Sequence, residues 1–194
     1  MSLQFDEETH AYTLNGSKVP SVTTVITDML GSGYDFLSPA DSEWYMMRGR
    51  AIHAYAELIA NKKPFAAPDE RIAGHVSALH KFFAVASKVH LVEYRVANPV
   101  YGYAGTLDLL CEIGGAKCLV DFKSSLNESR VALQLGAYNM ALPKAYQTNK
   151  AYGVELNEDG TFKMYRVENL QESAREFIVL LSAYKIKQKV NGRK

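Results

Sequence analysis

Two neighbouring segments restrict the fold of this chain more than any others: Thr106–Ile113 (TLDLLCEI) and Lys117–Lys123 (KCLVDFK), joined across Gly114-Gly115. Each alternates at period two and a glycine pair separates them, so they read as consecutive strands of one hairpin. Successive strand side chains point to opposite faces. Leu107, Leu109, Cys111 and Ile113 then form one apolar face, with Thr106, Asp108, Leu110 and Glu112 on the other. In the second strand Cys118, Val120 and Phe122 point one way, and Leu119, Asp121 and Lys123 the other. Asp108, near the start of its strand after Gly105, reads by itself as edge-exposed or turn-bonded, whereas Asp121 and Lys123 follow the apolar Leu119-Val120 run and share its cover; the hairpin brings all three within reach of one point. Burying ionised groups costs several kcal/mol per ion unless they are paired or hold a metal. An exposed strand-end ion pair, worth about 0–1 kcal/mol, would fit the same letters of the second strand.

The rest of the chain supplies partners for that hairpin. His90–Val96 reads as a preceding strand, and Ala151–Leu156 and Phe162–Val167 as two later ones. Helical periodicity runs from Ser42 to about Asn61, from Asp69 to Lys88, from Glu128 to Leu142 and from Gln171 to Lys189. At the start, Ala11–Leu14 meets the turn pair Asn15-Gly16 and then Lys18-Val19-Pro20, a short hairpin. Ser21 can cap a helix from Val22, although Val22, Thr23, Thr24, Val25 and Ile26 also suit a strand. Gly31 to Pro39 reads as a loop. The expectation is one α/β domain over 1–194, with a mixed central sheet flanked by helices. Its core covers about 89–170, and a hairpin and helical elaboration about 1–88.

Composition narrows the function classes. Lys+Arg 22 against Asp+Glu 21 leaves a formal charge of +1, which excludes a DNA-coating basic protein but not a local basic channel. Two cysteines, Cys111 and Cys118, exclude a disulfide scaffold and a four-cysteine cluster and suit a reducing, cytosolic compartment. No apolar run reaches the ~18 residues of a membrane span, and the first residues lack a signal-peptide pattern. After Leu181 come Lys185, Lys187, Lys189, Arg193 and Lys194 with no acid, either a solvated helix end or a phosphate-attracting arm.

Asp108, Asp121 and Lys123 suit phosphodiester hydrolysis. Hard carboxylate oxygens hold Mg²⁺ or Mn²⁺, and a lysine is a compact cation for water or phosphate. Gln134 and Tyr138, four apart, share a helix face. Gly49, His53 and Glu57 do the same earlier, flanked by Arg48 and Arg50. Glu93 is either a further metal ligand or the partner of Arg95.

Taken in order, these segments resemble the PD-(D/E)XK nuclease superfamily, in particular its RecB-type exonucleases. The residues are Gly49 to His53 for G-x-x-x-H, the strand acid Glu93, and Gly105 to Asp108 for G-x-x-D. Asp121 to Ser124 matches D-x-K-[ST], and Gln134 to Tyr138 matches Q-x-x-x-Y. The opening, Tyr12 through Pro20 to Ile26, is further similar to phage-type and mitochondrial genome-maintenance exonucleases, and the likeness covers about residues 10–156. It implies a restriction-endonuclease-like core and a metal-dependent DNA exonuclease of phage-type recombination or repair. A structure-specific endonuclease or resolvase and a non-catalytic DNA-binding protein on the same fold are the alternatives. As catalytic residues it implies Asp108, Asp121, Lys123, Gln134 and Tyr138. As ligands of Mg²⁺ or Mn²⁺ it implies His53, Glu93, Asp108, Asp121 and the Phe122 carbonyl, without an iron–sulfur cluster. DNA contacts would fall to Arg48, Arg50, Ser124 and Ser125, with Lys123, Arg130 and the tail lysines lining a groove. Tyr34, Trp44 and Tyr45 would stack bases or simply pack. The implied partners are DNA ends or single strands and a single-strand annealing or recombination protein, in the cytoplasm.

Overall fold

The computed structural model describes residues 2–32 and 38–192. The chain opens with three short strands, β1 (Leu3–Asp6), β2 (Ala11–Leu14) and β3 (Ser17–Val19), in one antiparallel sheet. Asn15 and Gly16 turn β2 into β3 with φ of 50° and 83°, the left-handed pair a tight hairpin turn needs. Helix α1 (Val22–Leu30) follows, and Ser21 accepts the Thr24 N–H at 2.9 Å as its cap. Capping settles the Val22–Ile26 segment as helix rather than strand. Helix α2 (Pro39–Ala60) starts earlier than Ser42. Ser38 caps it through the Asp41 N–H, and Pro39 occupies a first-turn position where no N–H is required.

Helix α3 (Glu70–Val85) ends before the expected Lys88, and strand β4 (Ala86–Asn98) begins there instead of at His90. The cause is non-local. Strand β5 (Tyr103–Ile113) is long and its backbone needs a partner along its length, so Ala86 pairs with Ile113. Strand β6 (Ala116–Lys123), helix α4 (Glu128–Ala141), strands β7 (Ala151–Leu156) and β8 (Phe162–Arg166) and helix α5 (Leu170–Asn191) complete the described chain. The large sheet runs β4-β5-β6-β7-β8, with β6 and β7 parallel and the other neighbours antiparallel. The α4 crossover between the parallel pair makes the sheet mixed. Among the described residues no helix is long and apolar enough to cross a membrane.

Helices cover the sheet through two apolar clusters. Val22, Val25 and Ile26 of α1, Leu135 of α4 and Phe177 of α5 meet Leu107, Leu110 and Leu119. The other cluster brings Ile52 of α2 and Phe82 of α3 to Leu109, Cys111, Val120 and Phe122. Phe82 meets Phe122 edge-on at 5.1 Å, a contact worth about 0.5–1.5 kcal/mol beyond its area. With α1 built into the first cluster, the segment before residue 88 is more than an appendage. Tyr12 and Leu14 of the small sheet likewise pack on Ala97 and Ala104.

One expectation fails here. Leu107 does not share its cluster with Leu109 and Cys111 but joins Leu110. The strict alternation of β5 breaks around Asp108. Across from it, Val92 pairs with Leu109 and Tyr94 with Leu107, and Glu93 between them has φ 44°. A left-handed residue inside a strand twists it sharply, and the faces exchange there.

Candidate metal centre

The break in alternation is where the polar residues gather. Asp108 comes from β5, Glu93 from β4, Asp121 and Lys123 from β6, His53 from α2, and Gln134 and Tyr138 from α4. One ligand atom from each of His53, Glu93 and Asp108 lies within 4.8 Å of the others. His53 Nδ1 is 3.4 Å from Glu93 Oε1 and 3.5 Å from Asp108 Oδ2. The β5–β6 register ends at Leu109 opposite Val120. Just beyond it the Phe122 N–H donates to Asp108 Oδ2 at 2.7 Å, so a carboxylate takes over from the ladder.

Asp121 is buried at 1% exposure, and both its oxygens are engaged. Gln134 Nε2 donates to Oδ1 at 2.6 Å, and Lys123 Nζ lies 2.6 Å from Oδ2. Gln134 Nε2 also lies 3.4 Å from the Tyr138 hydroxyl. Tyr138 in turn rests on Gly105, where a Cβ would stand 2.5 Å from its Cε1. The glycine of the G-x-x-D segment is therefore required by a close approach.

Charge and burial compete throughout. Burial opposes a proton on His53, but the Asp108 and Glu93 carboxylates outweigh it against Lys123 and lift the imidazole to about 8. Burial raises Asp108 above the usual carboxylate range, although His53 and Lys123 pull it down. Burial raises Asp121 to about 6, with Lys123 opposing and Asp108 adding. Burial and the two aspartates push the Tyr138 phenol well above its ordinary value, so it keeps its proton.

The donor set fits a divalent cation. Two carboxylates and an imidazole converge, and Glu93 Oε1 is buried without a hydrogen-bond partner. The His53 imidazole at 3.4 Å answers this oxygen only from a distance, and an ion held among the three groups would meet it directly. A cleft of about 750 Å³ opens over this centre, lined by His53, Glu93, Asp108, Lys123, Gln134 and Tyr138 among others.

The geometry redistributes the expected ligands. Asp108 joins His53 and Glu93, while Asp121 is committed to Lys123 and Gln134 and stands outside that triad. Glu93 faces His53 and is not the partner of Arg95, which pairs with Glu7 at 3.3 Å. Phe122 contributes its backbone N–H here, and its ring lies in the core.

Of the expected DNA contacts, Arg50 is exposed on the cleft. Arg48 is not available there. It is buried, pairs with Glu158 at 3.1 Å, donates to Ser124 Oγ at 3.1 Å and lies over the Tyr45 ring. Arg48 and Arg50 are two residues apart, and at 100° per residue they point to nearly opposite sides of α2. Ser124 is thereby partnered, whereas Ser125 is exposed beside a smaller cleft with Lys123. Arg130 donates to the carbonyls of Leu30 and Gly31, closing the C-terminal end of α1. Trp44 lies under Arg71. Over its described part the basic tail is an exposed helix end: α5 runs to Asn191, Lys187 pairs with Asp28, and Lys185 donates to the Tyr101 carbonyl. Tyr34, Arg193 and Lys194 lie outside the described residues.

Arg95 also lines the cleft, a place that its expected role as a partner of Glu93 does not include. Its signal was its place two residues after Glu93, the spacing that returns a strand to the same face. A scan against protein-family models finds no match to this chain, and a search of curated proteins finds none either.

Proposed function

We propose that this chain is a divalent-metal-dependent nuclease of the PD-(D/E)XK type that hydrolyses DNA phosphodiester bonds from an end. The observation that carries the reading is the His53–Glu93–Asp108 triad set beside a buried aspartate–lysine pair. In this reading His53, Glu93 and Asp108 hold Mg²⁺ or Mn²⁺, with the Phe122 carbonyl as a further donor. Such an ion, when bound, lowers the pKa of a water and offsets charge on the phosphate.

The chain's own groups do the rest. Lys123, half-buried at the cleft and 2.6 Å from Asp121, presents a cation to the attacking water and a phosphate oxygen. Asp121 orients that lysine, and Gln134 orients Asp121. Tyr138, held protonated, supports Gln134 and offers a hydroxyl at the cleft wall. The imidazole suits Mn²⁺ better than Mg²⁺, whose preference is for oxygen alone. A role on DNA ends in recombination or repair goes with this reading.

The test is Mg²⁺- or Mn²⁺-dependent digestion of end-labelled linear DNA, with Asp121→Ala and Asp108→Asn beside the wild type. Progressive loss from an end by the wild type alone, with covalently closed circles left intact, is the expected result. Equal degradation by all three proteins would mark a contaminant and remove the reading. Nicking of closed circles would make the enzyme an endonuclease.

A further inference from the structure

Besides Lys123 on β6, the cleft carries arginines on two further elements, each a step outward from a residue of the triad. Arg50 lies three residues before His53 on α2, about one turn away along the same helix face. Arg95 lies two residues after Glu93 on β4, about 6.8 Å along the strand. Both side chains line the cleft that holds the triad. Among the described residues Arg50 makes no ion pair, in contrast to the buried Arg48.

Arg95 is held from the small N-terminal sheet. Its guanidinium lies over the Phe5 ring, 4.8 Å from the centroid, and its Nη2 is 3.3 Å from Glu7 Oε1. Phe5 presents a flat face that fixes the plane of the guanidinium and leaves its edge open. Glu7 is an exposed carboxylate, 82% accessible, and a pair that open is weak enough for a phosphate to displace.

We propose that Arg95, seated on Phe5, and Arg50 form a two-arginine clamp for the phosphates flanking the scissile bond, so that the ligand is a polynucleotide strand rather than a lone phosphodiester. This rests on the nuclease reading and deepens it. The small N-terminal sheet thereby becomes a wall of the substrate groove, and Glu7 a competitor that the strand must replace. Planar guanidinium groups match phosphate oxygens two at a time, which suits this task better than lysine.

Two measurements test it. Binding of a fluorescein-labelled single-stranded oligonucleotide to the metal-free protein is followed by anisotropy over a range of salt. Arg95→Gln and Arg50→Gln should each weaken binding about tenfold, as expected for one lost charge-assisted contact. Each should also reduce the slope of log K against log salt by about 0.7. Glu7→Gln should act with the opposite sign and tighten binding. Phe5→Leu should weaken it while the salt slope stays near that of the wild type. In the cleavage assay, Arg95→Gln should lose more on the oligonucleotide than on a dinucleotide with one phosphate.

Unchanged salt slopes, weaker binding by Glu7→Gln, or equal losses on the two substrates would overturn the clamp. The two levels separate cleanly. Cleavage by the wild type with arginine-independent binding removes the clamp and keeps the nuclease. Arginine-dependent binding without cleavage removes the nuclease and keeps the clamp.

Discussion

Without metal, His53 is the cation set between the Asp108 and Glu93 carboxylates, and that dependence can be measured. Its imidazole is lifted from 6.5 to about 8 because Asp108 and Glu93 outweigh burial. At ~1.36 kcal/mol per pH unit, the rise is worth about 2 kcal/mol of folding stability. The side chain is 29% exposed, so most of that survives solvent screening. The sign follows from the direction of the shift. A group whose folded pKa lies above its unfolded value stabilises fully below the unfolded value, here 6.5, and loses that contribution as pH rises through about 8. His53→Gln removes the titration and keeps a polar side chain. In chelator, guanidinium unfolding should show a wild-type advantage over His53→Gln that shrinks by about 2 kcal/mol between pH near 6 and pH near 9. Metal reverses the trend, because an ion competes with the proton on Nδ1. Mn²⁺ affinity should rise with pH up to about 8. Titration calorimetry at neutral pH should show up to about one proton released per ion, from buffers of differing ionisation enthalpy. A stability difference constant across this range, together with metal binding that releases no proton, would refute the coupling of His53 to Glu93 and Asp108.

Other perturbations probe the support of the centre. Gly105→Ala places a methyl 2.5 Å from Tyr138 Cε1, and overpacking of this kind should cost about 1–3 kcal/mol; an unchanged melting temperature by scanning calorimetry would contradict the packing. Gln134→Leu removes the 2.6 Å donor to Asp121, whose carboxyl already stands at about 6, so the acid limb of the pH–rate profile should move to higher pH. Arg48→Met should lower stability by about 1–3 kcal/mol through its lost bonds to Glu158 and Ser124, while the salt dependence of DNA binding stays as in the wild type; a reduced salt slope would return Arg48 to the groove.

Much of the architecture follows from local rules, and so was readable in the letters. Strand β7 and the hairpin pairs Asn15-Gly16 and Gly114-Gly115 lie where turn chemistry and period-two patterning put them. The D-x-K spacing also sets Asp121 and Lys123 on one face, because strand alternation needs no knowledge of the rest of the fold. Other features depend on residues far apart in the chain. Strand β4 reaches back to Ala86 because β5 needs a partner. The faces exchange at Asp108 because Glu93, across the sheet, is left-handed. Arg48 and Arg50, two residues apart, part company because one side of α2 meets Glu158, 110 residues from Arg48, while the other faces the cleft. Arg130 and Lys187 look like groove or tail cations until α1 is docked beside them. Sequence by itself determined most of the elements, though not β1 or the start of β4, and the inventory of charged groups, since periodicity, caps and turns act over a few residues. Tertiary structure alone decided which charges neutralise one another and which remain on the cleft, because a charge takes its partner from whatever the fold brings within a few ångströms.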